Sequence, residues 1–114
     1  MSEPKKKEPK ECTHAFVLKL TDDKWAVGRS NEPYKSIVRC FEGKGTLWTR
    51  KHPPVEIDLV CKGDSHIVKY LLATYIKKYG VANVRGYCFS VVEPSDAQIK
   101  GYLEYADKYA SIYD

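Results

Sequence analysis

The sequence predicts a single α+β domain, with a small central antiparallel sheet of about three strands flanked by helices. Three observations predict this class. The length of 114 residues suffices for one hydrophobic core and is short for two. Short β-prone runs alternate with segments whose apolar residues recur at helical spacing. The last of these segments, residues 96–112, predicts an added C-terminal helix.

The first half of the chain predicts a hairpin followed by a short helix. Residues 15–20 and 25–29 are β-prone and are separated by the turn-forming residues 21–24. Gly28 inside the second strand indicates a bulge or a close backbone approach. Residues 32–41 predict a helix with Pro33 in its first turn and Gly43 after its end. Residues 43–45 then predict a flexible loop, and the proline pair at 53–54 blocks a regular helix.

The second half predicts one strand, two helices and a further extended segment. Residues 55–61 alternate apolar and acidic side chains, as in a strand with one wet face. Residues 67–78 predict a helix capped by Asp64 or Ser65 and ended by Gly80. Residues 81–85 are expected to be a connection, and residues 86–92 to be extended. The domain is thus expected to span residues 12–92, with a helix at 93–114 packed on the domain or on a partner.

Composition and charge restrict the classes of protein. No apolar run approaches the length of about 20 residues that a membrane-spanning helix needs. Residues 1–11 are highly charged, which predicts a flexible tail and no secretion signal. We therefore expect an intracellular protein, in the cytoplasm or nucleus. The four cysteines form no C-x-x-C pair, so free thiols are expected and no metal site is. Residues 12–92 carry six more basic than acidic groups, which favours a polyanionic partner or simply a solvated surface.

Two motifs resemble those of a known family. They are V-G-R-S at residues 27–30 and F-x-G-K-G-x-x-W-T-x-x-H-P-P at residues 41–54, followed by K-K-Y-G and N-V-R-G. In combination and order they resemble the GIY-YIG nuclease family, and most closely the short single-domain members that large DNA viruses and some microbes encode. The resemblance covers residues 16–90. It implies a GIY-YIG-like fold and allows a viral source.

The resemblance implies an activity whose residues this chain lacks. The family cuts DNA phosphodiesters with one divalent metal, using a tyrosine from each motif strand, a helix arginine and a glutamate on a later helix. The resemblance places the two tyrosines at Phe16 and Ala26 and the arginine at Ser36. A histidine that often accompanies them falls at Cys40. Residues 65–80, where the glutamate is expected, contain no Asp or Glu. The prediction is a fold without nuclease chemistry and without a cofactor.

The alternative is a divergent endonuclease that uses Mg²⁺ or Mn²⁺. This alternative needs replacements for the missing arginine and the missing metal-binding carboxylate. The candidates are Arg39, one helical turn from Ser36, and Asp64, at the start of the later helix. Trp25 neighbours Ala26 but is expected on the opposite side of the strand.

The basic residues around these positions predict DNA binding. The candidates for nucleic-acid contact are Arg29, Lys35, Arg39, Lys44, Trp48, Arg50, Lys51 and His52. Amides of the loop 43–45 would meet a phosphate, and Trp48 would stack on an exposed base. The competing interpretations are that Trp48 packs in the core, that the lysines only face solvent, and that His52 fixes a loop.

A protein partner is the remaining alternative. Tyr102, Tyr105 and Tyr109 follow helical spacing in the acidic C-terminal segment. They predict either a face packed on the domain or a surface for self-association or a partner. In the second case the chain would be a structural or assembly subunit, which the viral resemblance also allows.

Overall fold

The computed structural model describes residues 14–86 and 91–110 and confirms the α+β class. Its four-stranded sheet has the order β3-β1-β2-β4. The strands are β1 (His14–Leu20), β2 (Lys24–Ser30), β3 (Pro54–Lys62) and β4 (Val84–Gly86). The helices are α1 (Pro33–Phe41), α2 (Leu47–Lys51), α3 (Ser65–Tyr79) and α4 (Asp96–Ala110). In the described part of the chain no helix is both long and apolar enough to span a membrane.

The sheet is mixed, whereas the sequence predicted about three antiparallel strands. β1 pairs antiparallel with β2 and with β3, as expected, but β4 pairs parallel with β2. β4 has three residues, too few for an alternating pattern, so this part of the chain was interpreted as a connection. The crossover through α3 brings it back beside β2 in the parallel sense. Residues 87–90 of the predicted extended segment lie outside the described residues, as do residues 1–13 and 111–114.

The predicted ends of α1 and α3 are confirmed by their capping groups. Pro33 occupies the first turn of α1, and Gly43 adopts φ 79° just after its end. The Asp64 carboxylate accepts a hydrogen bond from the His66 amide at 2.9 Å, and Gly80 follows α3 with φ 99°. Prolines suit a first helical turn and glycines the left-handed position after a helix, so local sequence determines these boundaries.

α2 is a correction, because the sequence predicted a loop leading into the proline pair. The Thr46 hydroxyl accepts a hydrogen bond from the Thr49 amide at 3.3 Å and starts a helix of five residues. The helix ends at Lys51, two residues before Pro53, so the prolines limit its length but do not prevent a short helix from forming ahead of them.

Alternating residues of β1 and β2 divide the core between the two faces of the sheet. We call the first the α3 face, where Val17, Trp25 and Val27 pack against α3 and α4. The second is the α1 face, where Leu18 and Ala26 join Ile37 of α1 and Trp48 of α2. Trp25 and Ala26 therefore point to opposite sides, as predicted.

α4 packs on α3, so the tyrosine-rich segment serves the domain's own core. Tyr102, Tyr105 and Tyr109 are half-buried against the cluster on the α3 face, and Ala106 between them is 1% exposed. The predicted helical spacing thus reflects a packed face. Of the cysteines, Cys40 and Cys61 are free thiols, as expected, and Cys12 and Cys88 fall outside the described residues.

Candidate nucleic-acid interface

A pocket of about 290 Å³ opens on the α1 face. Its floor is apolar and is formed by β1 and β2 side chains, Phe16, Leu18 and Ala26. α2 and β4 supply the rest of the wall, with Trp48 and Arg85 among the contacts. Among the described residues, α2 is short and α1 contacts the sheet mainly through Ile37, which leaves this pocket between them.

Three of the four positions that the family resemblance singled out meet at this pocket. Phe16, Ala26 and Cys40 all line it. Ser36 is elsewhere, because its hydroxyl donates a hydrogen bond to the Ser30 hydroxyl at 2.7 Å. Phe16, Ala26 and Cys40 thus lie at the same pocket, where they present a phenyl ring, a methyl group and a thiol.

Gly28 gives the pocket its shape by allowing a close aromatic contact. It pairs with Phe16 across β1 and β2, and a Cβ at Gly28 would lie 2.3 Å from the Phe16 Cζ atom. The Phe16 ring therefore covers the glycine backbone. Of the two roles predicted for Gly28, the structure shows the close approach, and the β1–β2 register has no bulge there.

Cys40 is held in a tight contact with the loop before α2. A Cβ at Gly45 would lie 2.6 Å from the Thr49 hydroxyl and 2.9 Å from the Cys40 sulfur, so only glycine fits. Burial raises the pKa of the Cys40 thiol, while the hydrogen bond with Thr49 and the charge of Arg39 act in the opposite direction. Cys40 is therefore a neutral thiol at physiological pH and a poor nucleophile.

Arg85 is the site residue that sequence reasoning missed. It is 4% exposed, and its guanidinium lies 4.6 Å from the centre of the Trp48 ring. Its N–H groups donate to the carbonyl oxygens of four valines at 2.6 to 3.2 Å: Val81, Val84, Val91 and Val92. Burial lowers the pKa of Arg85, which nevertheless stays charged because its ordinary value is so high. The N-V-R-G motif contained this residue, but no local pattern indicated its burial.

Neither group considered as a replacement for the missing catalytic residues is at the pocket. Among the described residues, Arg39 and Asp64 are both exposed and do not line it, and no carboxylate does. α3 packs on the opposite face of the sheet through Val68, Leu72 and Ile76. In the described part of the chain no group of three or more His, Cys, Asp or Glu side chains is placed to hold a metal.

Two of the predicted basic residues border the pocket or a neighbouring groove. Arg29 is exposed and lines the pocket. A second groove of about 370 Å³ shares Cys40 and Thr49 with the pocket and adds Arg50. We call the exposed cations on this side the basic face: Arg29, Lys35, Arg39, Lys44, Arg50 and Lys51. Five of them follow α1, its loop and α2 on the α1 face, and Arg29 lies near the end of β2 at the pocket.

The three lysines of the basic face are near exposed carboxylates. Lys35 is 3.4 Å from Glu32, Lys44 is 3.8 Å from Glu42, and Lys51 is 3.7 Å from Glu93. The lysine side chains in these pairs are between 52% and 76% exposed. Exposed ion pairs of this kind contribute little free energy, so a phosphate can replace the carboxylate.

Trp48 and His52 require corrections to the predicted interface. Trp48 is 3% exposed, and its Nε1–H donates to the Trp25 carbonyl at 2.8 Å, so it cannot be a surface platform for an exposed base. The His52 ring packs edge-on against Trp48 with centroids 4.6 Å apart, and its Nδ1 lies 3.4 Å from the Asp22 carboxylate. Its side chain is 12% exposed, which fits the loop-fixing interpretation.

The predicted phosphate cradle at residues 43–45 is also corrected. The Gly43 amide donates to the Cys40 carbonyl at 3.2 Å, and the Lys44 amide donates to the Arg39 carbonyl at 2.8 Å. These two bonds form a Schellman motif that ends α1. Both amides are therefore used within the chain, and Lys44 would meet a phosphate through its side chain only.

Known proteins add no further assignment. No protein-family model matches the chain, and no curated protein or solved structure matches it either. The GIY-YIG resemblance therefore rests on the sequence motifs and stays a prediction.

Proposed function

We propose that this chain is a non-catalytic GIY-YIG-like protein that binds DNA through the basic face. One observation carries the proposal: Phe16, Ala26 and Cys40, at which the resemblance places the family's chemical groups, line one pocket together with Arg29 and the buried Arg85. The arrangement keeps groups that attract a polyanion, and none of the described residues lining the pocket would activate water or hold a divalent cation. DNA binding without cleavage fits both the cations at this site and the replaced catalytic groups.

The chemistry of the pocket supports the non-catalytic part. Phe16 has no hydroxyl to handle a proton, and the pKa of Cys40 is raised by burial. Hydrolysis assisted by Mg²⁺ or Mn²⁺ needs oxygen ligands for the cation. The described residues that line the pocket include no carboxylate.

The charges support the binding part. Exposed arginines and lysines attract phosphates with little dependence on base sequence, and each phosphate contact releases a counterion. The weak carboxylate pairs of Lys35, Lys44 and Lys51 would be exchanged for phosphate at small cost. Affinity should therefore fall steeply as salt rises.

Fluorescence anisotropy with labelled oligonucleotides over a range of salt tests the proposal. We expect affinity to fall about 10³-fold between low and physiological salt if around six phosphates are contacted. Arg39→Ala, on the basic face, should weaken binding and reduce the salt slope by about one. The matched control is Lys100→Ala, a single cation removed from the exposed side of α4, which should change neither.

Two outcomes would overturn the proposal. The first is no binding to any DNA at low salt. The second is nicking of a plasmid with Mg²⁺ or Mn²⁺ that disappears in Arg39→Ala, which would establish the endonuclease alternative.

A second candidate, a protein-binding or assembly subunit, is favoured by one specific observation. α1 exposes three large apolar side chains at helical spacing: Tyr34 is 63% exposed, Val38 is 52% and Phe41 is 46%. Exposed apolar residues on one helix face often mark protein contacts. Chains that form oligomers in sedimentation velocity and bind no DNA would favour this candidate.

A further inference from the structure

We infer that the pocket on the α1 face holds one unpaired nucleobase, so that the chain binds single-stranded DNA more tightly than duplex. The inference rests on the proposed function and names the form of DNA that the same site takes. It follows from four properties of the pocket: its size, the chemistry of its lining, the rigidity of that lining and the charges at its edge.

The size of the pocket suits one planar ring. Its volume of about 290 Å³ is at the lower end of the range for small-molecule sites. A base inside a duplex is covered on both faces and paired along its edge, so it cannot enter a concave site without leaving the stack. A base in a single strand can turn out at low cost.

The lining combines an apolar floor with a fixed cation. Phe16 and Ala26 offer carbon surface above the fully buried Leu18, while Arg85 places a guanidinium in the wall beside Trp48. An inorganic anion would lose its hydration against the floor, and a purely apolar ligand would gain nothing from the cation. A nucleobase matches both, because its faces are apolar and its edges carry electronegative oxygen and nitrogen atoms.

The Arg85 guanidinium would act on a bound base through its charge and its planar face. The N–H groups of Arg85 donate to four backbone carbonyls, which fix the guanidinium before any ligand arrives. Trp48 is likewise fixed by its hydrogen bond to the Trp25 carbonyl. A wall of this kind favours an aromatic ring without reading its donor and acceptor pattern, so modest base selectivity is expected.

The charges at the edge give the sugar-phosphate chain a path. The neighbouring groove, which shares Cys40 and Thr49 with the pocket, contributes the exposed Arg50, and the Arg29 backbone reaches the pocket edge. A strand with one base in the pocket would place a flanking phosphate near Arg50. The pocket and the basic face would thus act on the same ligand.

Three DNA probes of equal length test the inference; the two single strands carry the same phosphates, and the duplex carries twice as many. They are a short oligonucleotide, an abasic oligonucleotide with the same phosphates, and a duplex of the same sequence. We expect the oligonucleotide to bind at least about fivefold more tightly than the abasic strand, which is the lower end of the usual contribution of one base contact. The duplex should bind less tightly than the normal oligonucleotide, although it carries more phosphates.

A pocket-filling variant supplies an independent test. Ala26 lines the floor and is 8% exposed, so Ala26→Leu should remove the advantage of the normal oligonucleotide and leave binding of the abasic strand unchanged. The matched control is Ala97→Leu, an exposed position on α4. Trp48 fluorescence in a Trp25→Phe background gives a second signal that does not depend on the folding of Ala26→Leu. It is expected to change with the oligonucleotide and not with the abasic strand.

The outcomes separate the inference from the function on which it rests. If no probe binds at low salt, the proposed function fails. If all three bind equally, and Trp48 fluorescence responds equally to normal and abasic strands, DNA binding stands and the base pocket is wrong.

Discussion

The two faces of the sheet are covered in different ways. On the α3 face a helix of 15 residues lies over the strands and a second of the same length packs on it, and Val68, Leu72 and Val84 are at most 1% exposed. On the α1 face a helix of nine residues and one of five leave a pocket of about 290 Å³. The closed face provides most of the packing, and the open face has the room and the cations that a ligand needs.

The charges follow the same division. Arg85 reaches the α1 face from β4, and the basic face extends from Arg29 to Lys51 on that side. A buried guanidinium costs desolvation free energy, which the α3 face avoids by using apolar side chains only in its buried cluster. A buried guanidinium beside a pocket is understandable if a ligand contacts it. Residues that stabilise the domain and residues that bind the ligand would then lie on different faces of the sheet.

The largest expected effect comes from comparing one leucine on each face. Leu72 and Leu18 are both 0% exposed, but only Leu18 borders the pocket. Leu72→Ala should lower the free energy of unfolding by about 2–5 kcal/mol, because it leaves a closed cavity. Leu18→Ala should cost less, at the low end of that range, because its space joins the open pocket. Urea denaturation of both variants measures the difference, and an equal or larger cost for Leu18→Ala would contradict the comparison.

A smaller effect is expected from Arg85→Lys. Lysine keeps the charge but cannot reproduce the fork that reaches four carbonyls, so buried acceptors lose their donors. We expect the free energy of unfolding to fall by about 2 kcal/mol. Arg50→Lys, at an exposed position of the basic face, is the matched control and should change it by less than about 0.5 kcal/mol. Similar values for the two variants in urea denaturation would mean that Arg85 does not organise the pocket wall.

Local sequence predicted the parts of the fold that local chemistry determines. Pro33, Gly43, Asp64 and Gly80 mark helix ends through their own conformational preferences and capping groups, and all four do so in the structure. The alternation along β1 and β2 also assigned Trp25 and Ala26 to the correct sides. These features depend on residues close together in the chain.

The parts that sequence could not predict depend on distant contacts. β4 exists because three residues find a partner in β2, about sixty positions away, and α2 forms although prolines follow it closely. The burial of Trp48 depends on the Trp25 carbonyl, and that of Arg85 on carbonyls from β4 and the segment before α4. The candidate site was thus predicted in its cluster of altered positions and its cations, but not in its pocket or its buried arginine.

The most direct test of the central claim, that the α1 face is the binding face, is a ¹H–¹⁵N correlation titration with a single-stranded oligonucleotide. We expect amide shifts at Gly28, Arg29, Thr46 and Thr49, which line the pocket, with the residues of α3 and α4 unchanged. Shifts confined to α3 and α4, or no shifts at a saturating oligonucleotide concentration and low salt, would contradict the account.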